Sequence, residues 1–248
     1  MTNQSEMKER FRGLFPSGTA PVEIEPHIFS ATPSLNSKRH YDRIGPLYDL
    51  IVGAESYNRF LWDNSRSDYT KFALDAVTFA GTSVLCEILC GSLLFSSVPL
   101  VHSTGLVVAV DHSITMLRLA RRRLLRSNVS FPVHIFLVHA DVFHLPFRPR
   151  SINAFLGIHA LHMFKRPSTL LSSLKPLLAA NATLFFTSLI TSDHSIGNSY
   201  LRLLLRLKEV ASVFTSEELE REIDKSQFAA QRSYQQGNVD FEILTTGH

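Results

Sequence analysis

The chain has 248 residues, of which 45% are hydrophobic and 19% are charged. Its 11 glycines amount to about 4% of the chain, where ordinary usage is roughly 7%. This composition excludes a collagen-like chain, a flexible linker and a highly charged disordered chain. The formal net charge of +3 permits an anionic ligand but gives no reason to expect a nucleic-acid partner.

The cysteines and the apolar runs limit the class of protein further. Cys86 and Cys90 fall in one apolar run, and no second pair of cysteines or histidines lies at ligand spacing. We therefore expect reduced, buried thiols and no metal site. The first 36 residues are polar, and a glutamate and a proline interrupt the longest apolar run, 84–101. We expect no signal peptide, no transmembrane segment and a cytoplasmic location.

The predicted elements begin after a segment without periodicity. Residues 1–36 contain scattered prolines, which predicts a flexible N-terminal arm. Aromatic residues recur at roughly helical intervals over 40–80, which predicts two or three helices that end near Gly81. Strand and helix signals then alternate. The predicted strands are 84–89, 105–110, 133–138, 154–158, 182–190, 231–235 and 239–244, and the predicted helices are 113–125, 167–178, 201–213 and one that starts at Thr215 with a capping box.

This alternation predicts an α/β fold. We expect a Rossmann-like, doubly wound, mainly parallel sheet with an antiparallel closing strand and helices on both faces. The expected organisation is a single domain over 37–248, with cap helices at 37–80 and lid-like helices at 192–228. In such sheets a ligand binds beyond the carboxyl ends of the strands.

Three acidic residues accompany successive predicted strands. Glu87 lies within the first strand, Asp111 follows the second and Asp141 follows the third. Parallel strands bring such residues to one edge, where an acid after the second strand can accept hydrogen bonds from a ribose diol. The pattern predicts a nucleoside-binding domain, although the same acids could instead cap helices or face solvent.

Five segments of the chain carry recognisable motifs. They are LCEILCGSL (85–93), GLVVAVDHSITML (105–117), HADVFHLPF (139–147), SINAFLGIHALHMF (151–164) and LKPLLAANATLFFTSL (174–189). In this order they resemble the motifs of the class I S-adenosylmethionine-dependent methyltransferases. The particular likeness is to the small-molecule branch around ubiquinone and menaquinone biosynthesis. HYDRIGPLYD (40–49) and FTSEELEREIDKSQF (214–228) resemble the same branch, so the resemblance covers about residues 38–246.

The resemblance implies S-adenosylmethionine as the cofactor and assigns roles to the residues that match the first two motifs. Glu87 matches the acid of the first motif, and Gly91 matches its middle glycine, near the methionine part of the cofactor. Asp111 matches the acid that holds the ribose hydroxyls. His112 then lies beside the adenine.

The remaining matches concern the adenine, the sulfonium and the substrate. Asp141 matches the residue that reaches the adenine amino group, and Val142 follows along the same rim. Tyr41 matches an aromatic residue that closes over the cofactor, where its π face attracts a cation. His159 matches a position near the sulfonium and the substrate. With His162 it could form a pair of general bases whose pKa values suit neutral pH, although His162 could instead serve packing alone.

The glycine pattern departs from that of the family. The first motif usually reads acid-x-Gly-x-Gly-x-Gly, whereas this chain has Leu89 and Leu93 at the outer positions. Ala179-Ala180-Asn181 also stands where Pro-Gly-Gly is common. Glycine suits these positions because the backbone turns sharply beside the ligand. A leucine in the left-handed conformation costs roughly 1–2 kcal/mol, and we expect its isobutyl group to project toward the cofactor.

The implied activity is transfer of a methyl group to an O, N or C atom of a small, apolar molecule. The aromatic and leucine-rich helices of 40–80 and 192–228 motivate the apolar substrate. The missing glycines keep two other hypotheses open. One is a degenerate protein of this fold that binds or regulates a partner without methylating, and the other is an enzyme of the same fold with a different reaction.

Two basic segments allow more than one interpretation. The arginine run 118–126 could bind an anionic partner, but it is more typical of the solvated side of a helix. The stretch 201–207, with Arg202, Arg206 and Lys208, could be a membrane-surface helix, a lid over an apolar substrate or part of the core.

Overall fold

The computed structural model describes residues 4–31, 49, 51–126 and 128–246. Within these ranges the chain forms one nine-stranded sheet with helices packed on both faces. The predicted α/β class, with its mainly parallel sheet and antiparallel closing strand, is confirmed. None of the helices in these ranges has the length and apolar character that spanning a bilayer requires.

Helices and strands alternate along most of the chain. The helices are α1 (Gln4–Gly13), α2 (Glu55–Trp62), α3 (Arg66–Ala80), α4 (Ser97–Val101), α5 (Ile114–Arg126), α6 (Pro167–Leu174), α7 (Ser195–Arg206) and α8 (Ser216–Lys225). The strands are β1 (Val22–Glu25), β2 (Ile28–Ser30), β3 (Val84–Ile88), β4 (Leu106–Asp111), β5 (Ile135–His139), β6 (Ile152–Gly157), β7 (Leu178–Leu189), β8 (Phe228–Gln236) and β9 (Val239–Thr246). Single 3₁₀ turns occur at Val142–His144, Leu161–Met163 and Lys175–Leu177.

The strand order places a crevice at the centre of the sheet. The order is β1-β2-β5-β4-β3-β6-β7-β9-β8, and the strands from β2 to β7 pair in parallel. β9 pairs antiparallel with β7 and forms a hairpin with β8. The chain leaves β3 toward β4 on one side and reaches β6 on the other. Such a reversal of strand order is where open α/β sheets bind ligands.

The N-terminal segment differs from the flexible arm that the sequence predicts. Residues 4–31 form α1 and the β1–β2 hairpin, and β2 extends the sheet by pairing in parallel with β5. Phe11 of α1 stacks on Phe136 of β5, with ring centroids 4.1 Å apart. Residues 1–3 and 32–36 of the predicted arm lie outside the described residues.

Part of the arginine run on α5 holds this hairpin to the domain. Arg118 and Arg121 both form ion pairs with Glu25 of β1, and the Arg121 Nη1 atom lies 3.3 Å from a carboxylate oxygen. These two side chains therefore serve an intramolecular contact rather than solvation alone.

The sheet buries one apolar cluster on each face. On the first face, apolar side chains of α1, α6 and α8 cover the strands. On the second face, those of α2, α3, α4, α5 and α7 do so. Cys86 and Cys90 are buried, free thiols in these two clusters, and burial raises the pKa of both.

Two buried carboxyl groups lie on the same side of β9. Asp240 accepts a hydrogen bond from the Ser216 hydroxyl at 2.9 Å, and Glu242 accepts one from the Ser233 hydroxyl at 3.0 Å. Burial raises the pKa of Asp240. Burial, followed by the neighbouring Asp240 carboxyl, raises the pKa of Glu242 to about 8. Glu242 is therefore mostly protonated at neutral pH.

We expect Glu242→Gln to flatten the dependence of stability on pH. The unfolded chain releases this proton near pH 4.5 and the folded chain near pH 8, so wild-type stability falls as pH rises through that window. The variant has no proton to lose at this position. Its free energy of unfolding, relative to that of wild type, should therefore rise by on the order of 3 kcal/mol between about pH 5 and pH 9. Urea unfolding measures this, with the exposed Glu9→Gln as a matched control. Equal slopes for Glu242→Gln and wild type would contradict the assignment.

Candidate functional site

Two neighbouring cavities open at the carboxyl edge of the parallel strands. The larger has a volume of about 870 Å³ and the smaller about 290 Å³. Met163, Glu209 and Val210 line both of them. The two cavities are therefore neighbours that share part of their walls.

The loop after β3 turns beside the larger cavity through alternate left-handed residues. Leu89, Gly91 and Leu93 have φ angles of 50°, 51° and 56°. The left-handed conformation is costly for leucine, by roughly 1–2 kcal/mol, so the surrounding structure must impose it. The Leu93 side chain is fully buried in the core. Leu89 instead lines the larger cavity, so its isobutyl group faces the space that a ligand would occupy, as its place in the motif predicts.

Asp111, at the end of β4, fixes this loop. One carboxylate oxygen accepts a hydrogen bond from the Gly91 N–H and the other from the Ser113 N–H, each at 2.8 Å. Burial raises the pKa of Asp111, whereas the charge of His112 and these N–H donors favour ionisation. A carboxylate has about four acceptor positions, so Asp111 can still accept hydrogen bonds from a ligand in the larger cavity.

Glu87 lies beneath the loop and lines neither cavity. Its side chain is 2% exposed, and Oε1 accepts a hydrogen bond from the Ser96 hydroxyl at 2.8 Å. Oε2 is buried and has no hydrogen-bond partner among the described residues. Burial raises the pKa of Glu87 to about 8 despite the Ser96 hydrogen bond, and the nearby Asp111 adds to the rise. The group is therefore mostly protonated at neutral pH and can donate a hydrogen bond.

The lining of the larger cavity also includes three more of the predicted residues, His112, Asp141 and Val142. Asp141 accepts hydrogen bonds from the Phe143 N–H at 3.0 Å and from His144 Nδ1 at 2.8 Å. Burial disfavours its ionisation, but these two hydrogen bonds prevail and lower the pKa of Asp141. Asp141 is thus an ionised acceptor at the cavity rim.

His162 lines the smaller cavity as a neutral imidazole. Burial, followed by the neighbouring His159 ring, which would repel a second positive charge, lowers the pKa of His162 well below the usual range. Nδ1 accepts a hydrogen bond from the Leu189 N–H at 2.9 Å, so the ring proton resides on Nε2. The backbone carbonyl of His162 also accepts the N–H groups of Ala211 and Ser212. The ring is therefore fixed as a hydrogen-bond donor.

His159 lines the smaller cavity as well, not the larger one where the cofactor assignment requires it. Its backbone is left-handed, with φ 56°, and its N–H donates to the Thr187 hydroxyl at 2.7 Å. Nε2 is buried without a hydrogen-bond partner in the described part of the chain. Burial lowers the pKa of His159 to about 4. The expectation that this pair titrates near neutral pH is therefore wrong, because burial disfavours the charged imidazolium.

Sequence reasoning missed a polar cluster that holds the loop in place. Arg123 of α5 forms an ion pair with Asp49 at 2.6 Å and donates to the Ser92 carbonyl at 2.9 Å. The Ser92 hydroxyl donates to Asp49 as well. Asp49 ends the motif HYDRIGPLYD, which is a signal that could have identified it. The arginine run that contains its partner Arg123 predicts a solvated helix side instead.

A second unpredicted contact runs from the N-terminal hairpin to the same edge. Ser30 of β2 lies 3.2 Å from His139 Nδ1, and His139 Nε2 lies 3.1 Å from the His112 carbonyl oxygen. Burial lowers the pKa of His139. This chain of contacts connects β2 to the residue that follows Asp111.

The predicted site residues thus divide among four places. Four of them, Asp111, His112, Asp141 and Val142, line the larger cavity, and His159 and His162 line the smaller one. Gly91 lies in the loop and Glu87 lies beneath it. Tyr41 lies outside the described residues.

Comparison with known proteins agrees with this geometry. Residues 86–186 match a family model described as a methyltransferase domain. The chain has the class I methyltransferase fold. The matched segment runs from β3 to β7 and includes the loop and every predicted residue that lines a cavity. No curated protein matches the sequence.

Three solved structures illustrate the likeness. An S-adenosylmethionine-dependent methyltransferase from Aquifex aeolicus is 12% identical and aligns over 82% of this chain and 98% of its own, with a TM-score of 0.61. Geranyl diphosphate C-methyltransferase from Streptomyces coelicolor is 11% identical and aligns over 72% of this chain and 74% of its own, with a TM-score of 0.58. The [4+2]-cyclase SpnF is 13% identical and aligns over 79% of this chain and 73% of its own, with a TM-score of 0.61. At these identities the likeness shows the fold alone.

Substitutions at Leu93 separate backbone strain from packing. We expect Leu93→Gly to destabilise the protein by about 2–3 kcal/mol, because it loses a buried side chain but relieves the left-handed strain. Leu93→Ala loses nearly the same packing and keeps the strain, so it should be about 1 kcal/mol less stable than Leu93→Gly. The half-buried Leu89→Gly should stay within about 1 kcal/mol of wild type. Urea unfolding measures all three, and an alanine variant more stable than the glycine variant would contradict a strained position 93.

The two histidines should remain neutral over the physiological range. Because burial lowers the pKa of His159 to about 4 and that of His162 further below normal, neither ring should protonate as pH falls from about 8 to about 5. Nitrogen chemical shifts of ¹⁵N-labelled histidine rings measure this, and the His162 signals should also report a proton on Nε2. Titration of His159 near pH 6.5 would contradict its burial.

Proposed function

We propose that the protein is an S-adenosylmethionine-dependent methyltransferase that methylates an O, N or C atom of a small, apolar molecule. One observation supports this most directly: a large cavity with acids at its strand ends adjoins a small apolar cavity through shared walls. The match to a methyltransferase domain supports the cofactor. The motifs resemble the small-molecule branch around ubiquinone and menaquinone biosynthesis, and membership of that branch is part of the proposal.

The residues around the larger cavity fit the cofactor. Asp111 would accept hydrogen bonds from the ribose hydroxyls, and Asp141 would accept one from the adenine amino group beside His112 and Val142. The unpartnered Oε2 of Glu87 leaves one buried hydrogen-bonding position beneath the loop for the methionine end or a water molecule. A cavity of about 870 Å³ lies within the range of small-molecule sites. When bound, the cofactor supplies an electrophilic methyl group on a sulfonium.

The smaller cavity supports an apolar methyl acceptor. Its lining includes Tyr57, Trp62, Tyr200, Leu204 and Leu207, so an apolar acceptor would find mainly apolar surface there. Its volume of about 290 Å³ limits the part of the acceptor that enters to a small ring system or a short chain.

The histidines of this cavity position the acceptor. The Nε2–H of His162 can donate a hydrogen bond to an acceptor oxygen or nitrogen and thereby orient it. A ring with a pKa near 4 accepts protons poorly at neutral pH, so His159 is a weak general base. The arrangement favours an acceptor that reacts without a strong base.

The domain organisation belongs to the same proposal. The domain over 37–248, to which the structure adds residues 4–31 as part of the same sheet, would use the helices of 37–80 as a cap and those of 192–228 as a lid, because α2 and α7 both supply walls of the smaller cavity. The partners would be a small-molecule substrate and no nucleic acid, and the location cytoplasmic.

A second candidate function is a protein of this fold that does not methylate. Leu89 favours it, because its side chain lines the larger cavity at a position where the family has glycine. The cyclase among the solved structures has the same fold. Such a protein would bind a partner or catalyse another reaction in the smaller cavity.

Calorimetric titration with S-adenosylhomocysteine tests the cofactor assignment. We expect wild type to bind and Asp111→Asn to bind at least about tenfold more weakly, because a hydrogen bond to a charged group contributes about 1.5–3 kcal/mol. The exposed Asp75→Asn on α3 is the matched control and should bind like wild type. No binding to the folded wild-type protein at millimolar ligand would overturn the proposal.

Leu89→Gly distinguishes the two candidates. If the isobutyl group only narrows the cofactor cavity, the variant should bind S-adenosylhomocysteine several-fold more tightly than wild type, while wild type still binds. Binding by the variant alone would favour the second candidate, since the wild-type loop would then exclude the cofactor. The same calorimetric titration measures both.

A further inference from the structure

Helix α7 carries an apolar stripe that the domain does not cover. Ile196, Leu203 and Leu207, which directly follows the helix, are 44%, 44% and 59% exposed. Their spacing of seven and four residues places them on one side of the helix. The buried residues of α7 are Gly197 and Leu201, which lie on a different side and pack toward the domain. The exposed stripe is therefore additional to the face that anchors the helix.

Basic side chains flank this stripe. Arg202 and Arg206 lie one turn apart and are exposed, and they are followed by the exposed Lys208, which also lines the larger cavity. The segment 195–208 contains no acidic residue. Among the residues that the structure describes, none of the three basic side chains forms an ion pair. The combination of exposed leucines and long cationic side chains is typical of helices that lie in a membrane interface, where the apolar side chains enter the lipid and the cations reach anionic headgroups.

The mouth of the smaller cavity lies on the same side of the protein. Leu207 belongs both to the stripe and to the cavity wall, and so connects the two. Ile51, another wall residue, is 45% exposed. An apolar path therefore runs from the surface stripe into the cavity.

We propose that α7 and the two residues after it bind the surface of an anionic lipid bilayer. The α7 surface consists of Ile196, Arg202, Leu203, Arg206, Leu207 and Lys208. The inference goes beyond methyl transfer and does not depend on it, since it concerns binding to lipid alone. A second copy of the chain fits this surface less well, because a symmetric contact would bring the same basic side chains together. On a bilayer, the cavity mouth would face the lipid, and an apolar molecule could enter without crossing water.

Sedimentation of the full chain with large unilamellar vesicles tests the proposal. The vesicles are phosphatidylcholine with about 30% phosphatidylglycerol, compared with pure phosphatidylcholine. We expect wild type to partition at least about tenfold more strongly into the anionic vesicles. Arg202→Gln with Arg206→Gln should weaken this binding by about thirtyfold, because each basic residue near such a surface contributes about 1 kcal/mol.

An apolar variant tests the leucine stripe separately. Ile196→Ser with Leu203→Ser changes no residue that lines either cavity and should weaken binding to the anionic vesicles at least about tenfold. The matched control is Leu125→Ser with Arg122→Gln on the exposed side of α5, which should bind within about twofold of wild type. Circular dichroism and thermal unfolding establish that each variant is folded.

Three outcomes would overturn the proposal. The first is no binding of folded wild type to either vesicle. The second is an equal loss in the α5 control and the α7 variants, which would indicate nonspecific attraction by net charge. The third is self-association of wild type that the Ile196→Ser, Leu203→Ser variant abolishes while vesicle binding is absent, which would make a second copy the occupant.

Discussion

The backbone after β3 must reverse its direction within a few residues, and in this chain it does so through left-handed torsions at alternate positions. Gly91 adopts such a torsion without strain, whereas Leu89 and Leu93 adopt it at a cost. The Asp111 carboxylate ties the loop to β4 by accepting the Gly91 N–H, and Arg123 holds it from α5. The larger cavity exists because this turn keeps the ends of β3 and β4 at one open edge.

The parallel centre of the sheet could be predicted from the sequence because its strands are buried on both faces. Strands such as β3 and β4 are short apolar runs, and an acid at the end of each run has to lie at the common carboxyl edge. The sequence pattern therefore predicts Asp111 and Asp141 at one edge, and both line the larger cavity. The same pattern does not show that Glu87 lies beneath the loop and away from both cavities. The alternation of side chains along a strand predicts which face of the sheet a residue occupies, but not whether its side chain reaches a cavity.

The N-terminal segment could not be predicted because its stability comes from distant partners. Only Met7 and Phe11 of α1 are buried, which is too few apolar positions for a periodic signal. Strand β2 pairs with residues more than 100 positions later, as the contact between Ser30 and His139, which are 109 residues apart, shows. The burial of His159 and His162 could not be predicted for the same reason. The sequence identifies a histidine and therefore its ordinary pKa, but the shift of that pKa depends on residues that only the fold brings around the ring.

The two strained leucines differ in what offsets their strain, and this difference bears on function. Leu93 is fully buried, and burial of a leucine side chain contributes about 1.5–3 kcal/mol, enough to offset a left-handed conformation that costs about 1–2 kcal/mol. Leu89 is only half-buried, so packing offsets its strain less completely. Its side chain lines the larger cavity, where a glycine would leave more room for a ligand. Core packing therefore accounts for Leu93, whereas an account of Leu89 has to include the shape of the site.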